Sequence, residues 1–389
     1  MTTVDVDYVV VGAGCAGLSL AVHWAEAGLP QRLLLLDGRA DLQHDRTWCF
    51  WQGRSHPFVD CITHSWPRWR LRHAGTEALC HAPTRPYQHL PSGRFYAKAR
   101  ACIEASPQLA LRLGTAVQRI DVQADAVQVH SSAGTLRCHA VFDSRPRALP
   151  VGEHPWLQHF RGLHLQADAP CFDPGVATLM DFDVATRPGA VHFMYVLPFS
   201  RHRALVEDTY FSETPLPSTQ HDAAIDAYLG QRFPQARFTR TGTEAGVLPM
   251  HVPTPRMVQP RLYAIGQAAG AIKPSTGYAF TFIQRHSAVL VARFGRQRLP
   301  APPRMRSPWK LALDQVFLSH LRRHPDRAPA TFLRLFQRNP PARTARFLGE
   351  ESAWHQDLRV MASMPWSEFA HASVRSLPQL PGLWRPQMR

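Results

Sequence analysis

A glycine-rich turn near the N-terminus, between a strand and a helix, most constrains the fold of this 389-residue chain. Residues 7–11 (DYVVV) read as a buried strand, 12–17 (GAGCAG) as a GxGxxG turn, and 16–27 as a helix with apolar residues at helical spacing. A second apolar strand, QRLLLLDGR, ends at Asp37, 20 residues after Gly17. This βαβ unit predicts an α/β Rossmann-type fold with a dinucleotide site.

Each part of this turn has a physical role in such a site. Glycines let the backbone approach a pyrophosphate, and the helix N-terminus offers free N–H groups. An acid at the end of the second strand accepts from a ribose 2′-hydroxyl and disfavours a 2′-phosphate, so we expect FAD or NAD rather than NADP. A tight turn without a ligand is the alternative. The cofactor-binding candidates here are Gly12, Ala13, Gly14, Cys15, Ala16, Gly17 and Asp37.

A second glycine-rich segment, RLYAIGQAAGAIKPSTGYAF at 261–280, is hard to explain with NAD alone. It resembles the segment that closes over the pyrophosphate, ribityl chain and flavin in FAD enzymes of the glutathione reductase and hydroxylase type, with Gln267 in place of the usual Asp. VFDSRPR at 141–147 resembles the middle segment of the same class. The resemblance implies FAD. It adds these cofactor-binding candidates: Asp143, Gly266, Gln267, Pro274, Thr276 and Gly277.

Two adjacent acids interrupt an apolar strand, LVEDTYFS at 205–212. Because successive strand side chains point to opposite faces, Glu207 and Asp208 cannot be partners. A carboxylate on an apolar face is costly unless it is paired or used. The residues alone leave two interpretations of Glu207 open: a catalytic acid, or an edge-strand acid paired with Arg201 or Arg203.

Asp181, in TLMDFDV on the preceding strand, is either a second catalytic acid or a solvated strand end. The 21 histidines form no HxH or HExxH group and have no cysteines at ligand spacing, so we expect no metal site. The seven scattered cysteines indicate reduced thiols in a cytosolic protein.

The charge of +15 is concentrated toward the C-terminus, where residues 301–389 hold 14 Arg or Lys against six Asp or Glu. The sequence contains no basic stripe interleaved with stacking aromatics, so we do not expect a nucleic-acid partner. A helical face with Trp309, Leu313, Val316, Phe317 and Leu321, flanked by Lys310, Arg322 and Arg323, predicts peripheral attachment to anionic membrane. The alternative is that this face packs onto the cofactor domain. Without an 18-residue apolar run or a signal peptide, we expect a cytoplasmic protein at the inner surface of the membrane.

Four blocks in consistent order resemble the lycopene β-cyclase family of bacterial carotenoid cyclases. They are DRTWCFW (45–51), MYVLPFSRHRALVEDTYFS (194–212), GQAAGAIKPSTGYAF (266–280) and RFLGEESAWHQDLRVMASMPWSEF (346–369). The resemblance implies redox-neutral cyclisation of the ψ end groups of lycopene to β-ionone rings. It also implies reduced FAD, NADPH as external reductant, and Glu207 as the essential glutamate. Asp208, on the opposite face of the strand, is then expected to be structural or paired with one of the nearby arginines. Thr47 and Trp48 are then expected to line the flavin or the polyene.

The expected fold has three parts. An FAD-binding domain of the glutathione reductase/hydroxylase type is assembled from 1–50, 91–150 and 255–290. An inserted β-sheet substrate domain comprises 51–90 and 151–254, and 291–389 is helical. Because fold does not fix function, two rivals remain: an FAD-dependent monooxygenase or desaturase on an apolar substrate, and a catalytically idle lipid- or nucleotide-binding protein. The oligomeric state is left open.

Overall fold

A computed structural model describes residues 4–43, 46–146, 155–252, 259–365 and 369. Within these ranges the chain forms strands that belong to four sheets. In chain order they are β1 (Tyr8–Val11), β2 (Leu33–Leu36), β3 (Thr47–Trp51), β4 (His64–Trp66), β5 (Arg68–His73), β6 (Thr76–His81), β7 (Tyr87–Pro91), β8 (Leu109–Arg112), β9 (Val117–Val122), β10 (Val127–Ser131), β11 (Gly134–Cys138), β12 (Ala140–Asp143), β13 (Trp156–Ala167), β14 (Val176–Asp181), β15 (Val191–Pro198), β16 (Arg203–Ser212), β17 (Phe238–Met250) and β18 (Leu262–Ala264).

The α-helices cluster after β1, after β7, between β16 and β17, and in the C-terminal part. They are α1 (Cys15–Glu26), α2 (Ser92–Glu104), α3 (Ser218–Arg232), α4 (Phe280–Phe294), α5 (Pro308–Arg323), α6 (Ala328–Gln337), α7 (Pro341–Leu348) and α8 (Trp354–Ala362). In the described ranges, none of them is both long and apolar enough to span a bilayer. Of the region predicted to be helical, residues 366–368 and 370–389 lie outside the described residues.

A five-stranded parallel sheet in the order β18-β12-β1-β2-β8 forms the first layer. Tyr8 and Val10 of β1 pack with α1, α2 and α4, whereas Val9 and Val11 pack against the small sheet β9–β11. Burial on both faces explains why β1 and β2 are unbroken apolar runs. The predicted Rossmann-type α/β fold is confirmed. All five strands come from the three segments assigned to the FAD domain, and the domain boundaries themselves stay a prediction.

A seven-stranded sheet in the order β17-β13-β16-β15-β14-β5-β6 forms the second layer. Its neighbours are antiparallel except β14 and β5. Val206 of β16 belongs to an apolar cluster with α3, and Leu205 belongs to the cluster with α5–α8. Thus α3 covers one face of this sheet and the C-terminal helices cover part of the other. Strands β15 and β16 form an antiparallel hairpin within this sheet.

Helix α5 packs its apolar face inside the protein, which is closer to the alternative interpretation than to an exposed membrane-binding face. Leu321 is fully buried, and Phe317 packs on Phe332 of α6 at 5.5 Å between ring centroids. Lys310, expected at a solvent-exposed flank, is buried, and its Nζ donates to Asp357 at 2.7 Å. The apolar face of α5 therefore packs within the protein, mainly against the other C-terminal helices.

Candidate active site

The two large sheets and the C-terminal helices line one cavity of about 910 Å³. At one end lies the glycine turn, where Gly12, Gly14, Cys15 and Ala16 contribute to the wall. A Cβ on Gly17 would lie 2.0 Å from the carbonyl oxygen of Gly12, whereas a Cβ on Gly14 would meet no heavy atom within 4 Å. The turn is thus closed where α1 packs on it and open toward the cavity, which is the shape that a pyrophosphate requires.

Asp37, at the end of β2, lines the same part of the cavity but is already heavily hydrogen-bonded. It accepts from the backbone N–H of Ala13 at 2.7 Å and from the backbone and guanidinium of Arg39 at 2.8–3.0 Å. Burial alone would raise the pKa of Asp37, but these hydrogen bonds outweigh it and lower the pKa. Since four donors occupy the carboxylate, a ribose hydroxyl must displace or share one of the bonds from Arg39.

In the middle segment, at the end of β12, the predicted Asp143 does not line the cavity, but the residues that follow it do. Asp143 accepts from the backbone and guanidinium of Arg145 at 2.9–3.0 Å. Ser144 and Arg145, rather than Asp143, line the cavity. A Cβ on Gly12 would lie 2.3 Å from the hydroxyl oxygen of Ser144, so only glycine fits at that point of the turn.

The segment after β18 closes the cofactor end from the other side. Gly266 has φ +60°, and a Cβ on it would lie 2.6 Å from Cβ of Ala16, so the two glycine-rich segments meet in direct contact. Gly266, Gln267, Thr276 and Gly277 line the cavity.

Two buried polar atoms near this segment have no hydrogen-bond partner among the described residues: Oγ1 of Thr276 and Oε1 of Gln158. Both residues line the cavity, and a Cβ on Gly277 would lie 2.4 Å from Oε1 of Gln158. Pro274 is buried beneath the wall instead of lining it. Buried polar groups are normally paired, so these two atoms fit a polar ligand such as a flavin ring or ribityl chain.

A buried ionic cluster anchors this segment to the C-terminal helices. Nζ of Lys273 and Oγ of Ser275 donate to Asp314 of α5 at 2.7 and 2.6 Å. Arg306 bridges Asp314 and Glu350. Removing one partner of a buried ion pair typically costs 3–5 kcal/mol, so this cluster holds the loop in a defined position.

Glu207 lies in the wall beyond the cofactor end, on the same face of β16 as Thr209 and Phe211. Its pKa is raised well above the usual range, first by burial and then by the charge and hydrogen bond of a second glutamate, Glu244 of β17. The ion pair with Arg201 or Arg203 that the sequence left open does not occur among the described residues. Glu207 is therefore an acid that resists ionisation, facing an internal cavity.

Aromatic and aliphatic side chains form the rest of the wall, and some of them come from α6. The Tyr195 hydroxyl donates to the Tyr87 hydroxyl at 3.1 Å, and burial raises the pKa of both phenols. Thr47 and Trp48 also line the cavity. The apolar lining includes Trp51, Tyr87, Phe193, Tyr195, Phe211, Tyr278, Phe332, Leu335, Phe336 and Leu348.

Asp208 points to the opposite face of β16, as the pleat requires. The sequence predicted a structural role or a pairing with a nearby arginine, and the carboxylate is paired with His192 Nε2 at 2.5 Å and His221 Nδ1 at 2.7 Å. His192 comes from the neighbouring strand β15, and His221 comes from α3. Asp208 is fully buried under α3 and does not line the cavity.

Asp181 also lies on the α3 side, which separates it from Glu207. Its register pairs it with Met194, and Met194 pairs with Asp208, so the three side chains share one face. Its carboxylate accepts from the Tyr228 hydroxyl and from Arg232, each at 3.0 Å. Asp181 is fully buried and absent from the cavity wall. It is neither a solvated strand end nor placed as a second acid in this cavity, and its contacts are those of a structural ion pair.

Sequence reasoning missed Glu244, Ser144 and Arg145. Glu244 stands in TGTEAGVLPM, where an acid in a stretch with strand character gave the same signal as Glu207. What the sequence did not contain was the register that brings β17 to the same place as β16. Ser144 and Arg145 adjoin the predicted Asp143, so the segment was located and the contacting residues were not.

Comparison with known proteins agrees with this arrangement. The sequence profile of the family described as lycopene cyclase protein matches residues 7–376. A lycopene beta-cyclase of Paracoccus sp. is 27% identical over 96% of this chain and 98% of its own length. Two solved structures share the fold. One is a geranylgeranyl bacteriochlorophyll reductase-like protein of Thermoplasma acidophilum, with TM-score 0.59, 11% identity, and coverage of 96% of this chain and 99% of its own. The other is the flavin-dependent monooxygenase PieE in complex with FAD and substrate, with TM-score 0.59, 16% identity, and coverage of 98% and 73%. The chain belongs to the lycopene cyclase family.

Proposed function

We propose that this enzyme closes the linear ψ end groups of lycopene into β-ionone rings, giving γ-carotene and β-carotene without net electron transfer. The observation that carries the proposal is Glu207, a carboxyl that resists ionisation in an aromatic cavity continuous with the cofactor turns. Membership of the lycopene cyclase family supports the same substrate class.

FAD is the cofactor that the cavity fits. Gly12 and Gly14 would receive the pyrophosphate at the N-terminus of α1, and Thr276 and Gln158 have polar atoms free for the flavin and its ribityl chain. When bound in its reduced form, FAD would supply electron density that stabilises a carbocation. NADPH is the proposed external reductant, as the family resemblance implies.

The residues of this chain have two roles in the reaction: one donates a proton, and the aromatic wall of the cavity stabilises the carbocation. Glu207 holds a proton at neutral pH because burial and Glu244 disfavour its charged form. That proton adds to the terminal double bond of the polyene, ring closure follows, and a proton leaves the ring. Faces of Trp51, Tyr195 and Phe211 would attract the positive charge, and the apolar wall would exclude water, which otherwise captures a carbocation.

The test is conversion of lycopene in liposomes by purified enzyme with FAD and a reductant, with and without oxygen. We expect products isomeric with lycopene, formed equally well without oxygen. The rival function, an FAD-dependent monooxygenase or desaturase, is favoured by the fold shared with the monooxygenase PieE. Products that differ in mass from lycopene and need an electron acceptor would replace the cyclase proposal with this rival.

Flavin binding can be tested separately by comparing a glycine of the cofactor turn with a glycine elsewhere in the protein. Gly14→Val projects into open space toward the cavity, so the protein should fold and lose the flavin. Gly230→Val is the matched control, since Gly230 of α3 also has no atom within 4 Å of its Cβ position but lies far from the cofactor turns in sequence and fold. Full flavin occupancy in folded Gly14→Val would contradict the assignment.

We also propose that the enzyme works at the cytoplasmic surface of the membrane, where its apolar substrate dissolves. With the face of α5 buried, the better surface is on α8, where Trp354 is 67% exposed and Leu358, one turn later, is 43% exposed. Arg359 follows in the last turn of the same helix. Binding to anionic vesicles should weaken with salt and in Trp354→Ala, and unchanged binding of that variant would exclude α8.

A further inference from the structure

A glycine in the middle of the large sheet separates two glutamates that come from different strands. Gly162 of β13 pairs with Glu207 of β16 on one side and with Glu244 of β17 on the other. Residues directly opposite one another in neighbouring strands point to the same face. Both carboxyl side chains therefore rise on the cavity face, and both line the cavity.

The missing side chain of Gly162 is what lets the two acids meet. A Cβ there would lie 2.8 Å from Cγ of Glu207 and 3.2 Å from Cγ of Glu244. Two strands that flank a third are about 10 Å apart, and any residue larger than glycine at the centre would fill the space between their side chains. Instead, the two glutamates meet over Gly162, where the charge of Glu244 and a hydrogen bond with it raise the pKa of Glu207.

A hydrogen bond between two carboxyl groups requires a proton, because ionised carboxylates are acceptors only. Among the described residues, Cys49 of β3 and Tyr195 of β15 are ionisable groups that interact with Glu207. Burial raises the pKa of both, so both are neutral near pH 7 and supply no positive charge to the pair. The stable state near neutral pH is then one proton held between two oxygen atoms, as in other close carboxyl pairs.

We propose that Glu207 and Glu244 share a single proton and together act as both the acid and the base of the cyclisation. The pair donates its proton to the terminal double bond of the polyene, which leaves two carboxylates beside the cation. After the new carbon–carbon bond closes the ring, the proton lost from the ring returns to the pair. Protons and electrons balance without a further reactant. This inference rests on the proposed function for the substrate and on the geometry of Gly162 for the pair.

The first measurement is independent of activity. Infrared titration of the purified protein with FAD should detect one protonated carboxyl at pH 7 that persists into the alkaline range. In Glu244→Gln, the remaining Glu207 loses its like-charged neighbour, so its titration should move down by about one pH unit or more. The control Glu213→Gln, an exposed glutamate that follows β16, should titrate like the parent.

The second measurement is the pH profile of turnover. Glu244→Gln should lower the rate about tenfold or more, and the alkaline limit of its profile should move to lower pH with the infrared titration. Gly162→Ala keeps both carboxyls but forces them apart, so it should shift the profile in the same direction. Glu213→Gln should keep the activity of the parent.

The outcomes separate the pair from the proposed function. No protonated carboxyl at pH 7, or a titration unchanged in Glu244→Gln, would overturn the shared proton even if lycopene is cyclised. The expected titration in a protein that leaves lycopene unchanged would keep the pair and reject the cyclase. If Gly162→Ala does not fold, the Glu244→Gln titration decides alone.

Discussion

On the two faces of β16, the pKa values of neighbouring carboxyl groups are shifted in opposite directions. Glu207 faces a second carboxyl and aromatic walls, and burial together with Glu244 raises its pKa. Asp208, one residue later, faces His192 and His221. Burial would raise the pKa of Asp208 as well, but its hydrogen bonds to the two histidines outweigh that effect and lower it.

The difference shows that burial alone does not decide whether a carboxyl becomes reactive. Both acids are removed from bulk water on the same strand. On the α3 side, donors satisfy the carboxylate, and the result is a fixed ion in a structural network. On the cavity side, Glu207 meets another acid, Glu244, which raises its pKa further and favours the protonated form.

The largest effect is expected from Glu207→Gln, which removes the transferable proton and keeps the size of the side chain. Turnover should fall by about 10² to 10⁴, as is typical for loss of a general acid. Flavin content and thermal unfolding should stay near those of the parent, because the cofactor turns are separate from β16. The measurement is cyclised product per bound flavin, and near-normal turnover would mean that the proton comes from elsewhere.

Asp208→Asn should have the reverse signature: a large loss of stability and little change in rate per folded enzyme. Losing the charge of a fully buried ion that two histidines hold should cost about 3 kcal/mol in the free energy of unfolding. Asp226→Asn, an exposed acid on α3 paired with Arg240, is the matched control and should cost under about 1 kcal/mol. Denaturant unfolding measures both. A stable but inactive Asp208→Asn would mean that the roles of the two faces are reversed.

The α3 side should also respond to acid, through His159. This histidine lies against His221 and Ser212, and burial lowers its pKa to about 4. In the unfolded chain the pKa of this histidine is near 6.5, so the unfolded chain binds a proton at a higher pH than the folded protein does. The free energy of unfolding therefore decreases as pH falls from about 6.5 to 4. The stability difference between the parent and His159→Gln should change over that window and be constant above pH 7. A difference that does not vary with pH would contradict the shift.

The features predicted from sequence are those encoded by local periodicity. Alternation along LVEDTYFS separated Glu207 from Asp208, because the pleat fixes which neighbours share a face. The first βαβ unit was predictable for a similar reason. A turn that needs glycine and a strand that is buried on both faces each have a local sequence pattern.

Partners contributed by distant segments were not predictable in this way. For Asp208, a structural role was one of the two predicted alternatives, but its partners come from β15 and from α3 and not from the nearby arginines. Glu244 meets Glu207 only because β13 inserts Gly162 between them, and no local pattern specifies that register. The hydrogen bonds of Asp37 were missed for a different reason, since Arg39 lies only two residues later: the motif located the acid but not its donors.

The smallest effect is expected from Tyr228→Phe, which tests the assignment of Asp181 to the structural side. The hydroxyl of Tyr228 donates one hydrogen bond to Asp181, while Arg232 keeps the carboxylate paired after the change. Loss of a single hydrogen bond to a charged group should cost about 1.5 kcal/mol of stability. Turnover and its pH profile should not move, because Asp181 points away from the cavity and its charge remains compensated. If Asp181 instead took part in proton transfer, removal of this donor would displace the pH profile of turnover without a matching loss of stability. Denaturant unfolding and pH-dependent turnover, measured on the same preparation, separate these results.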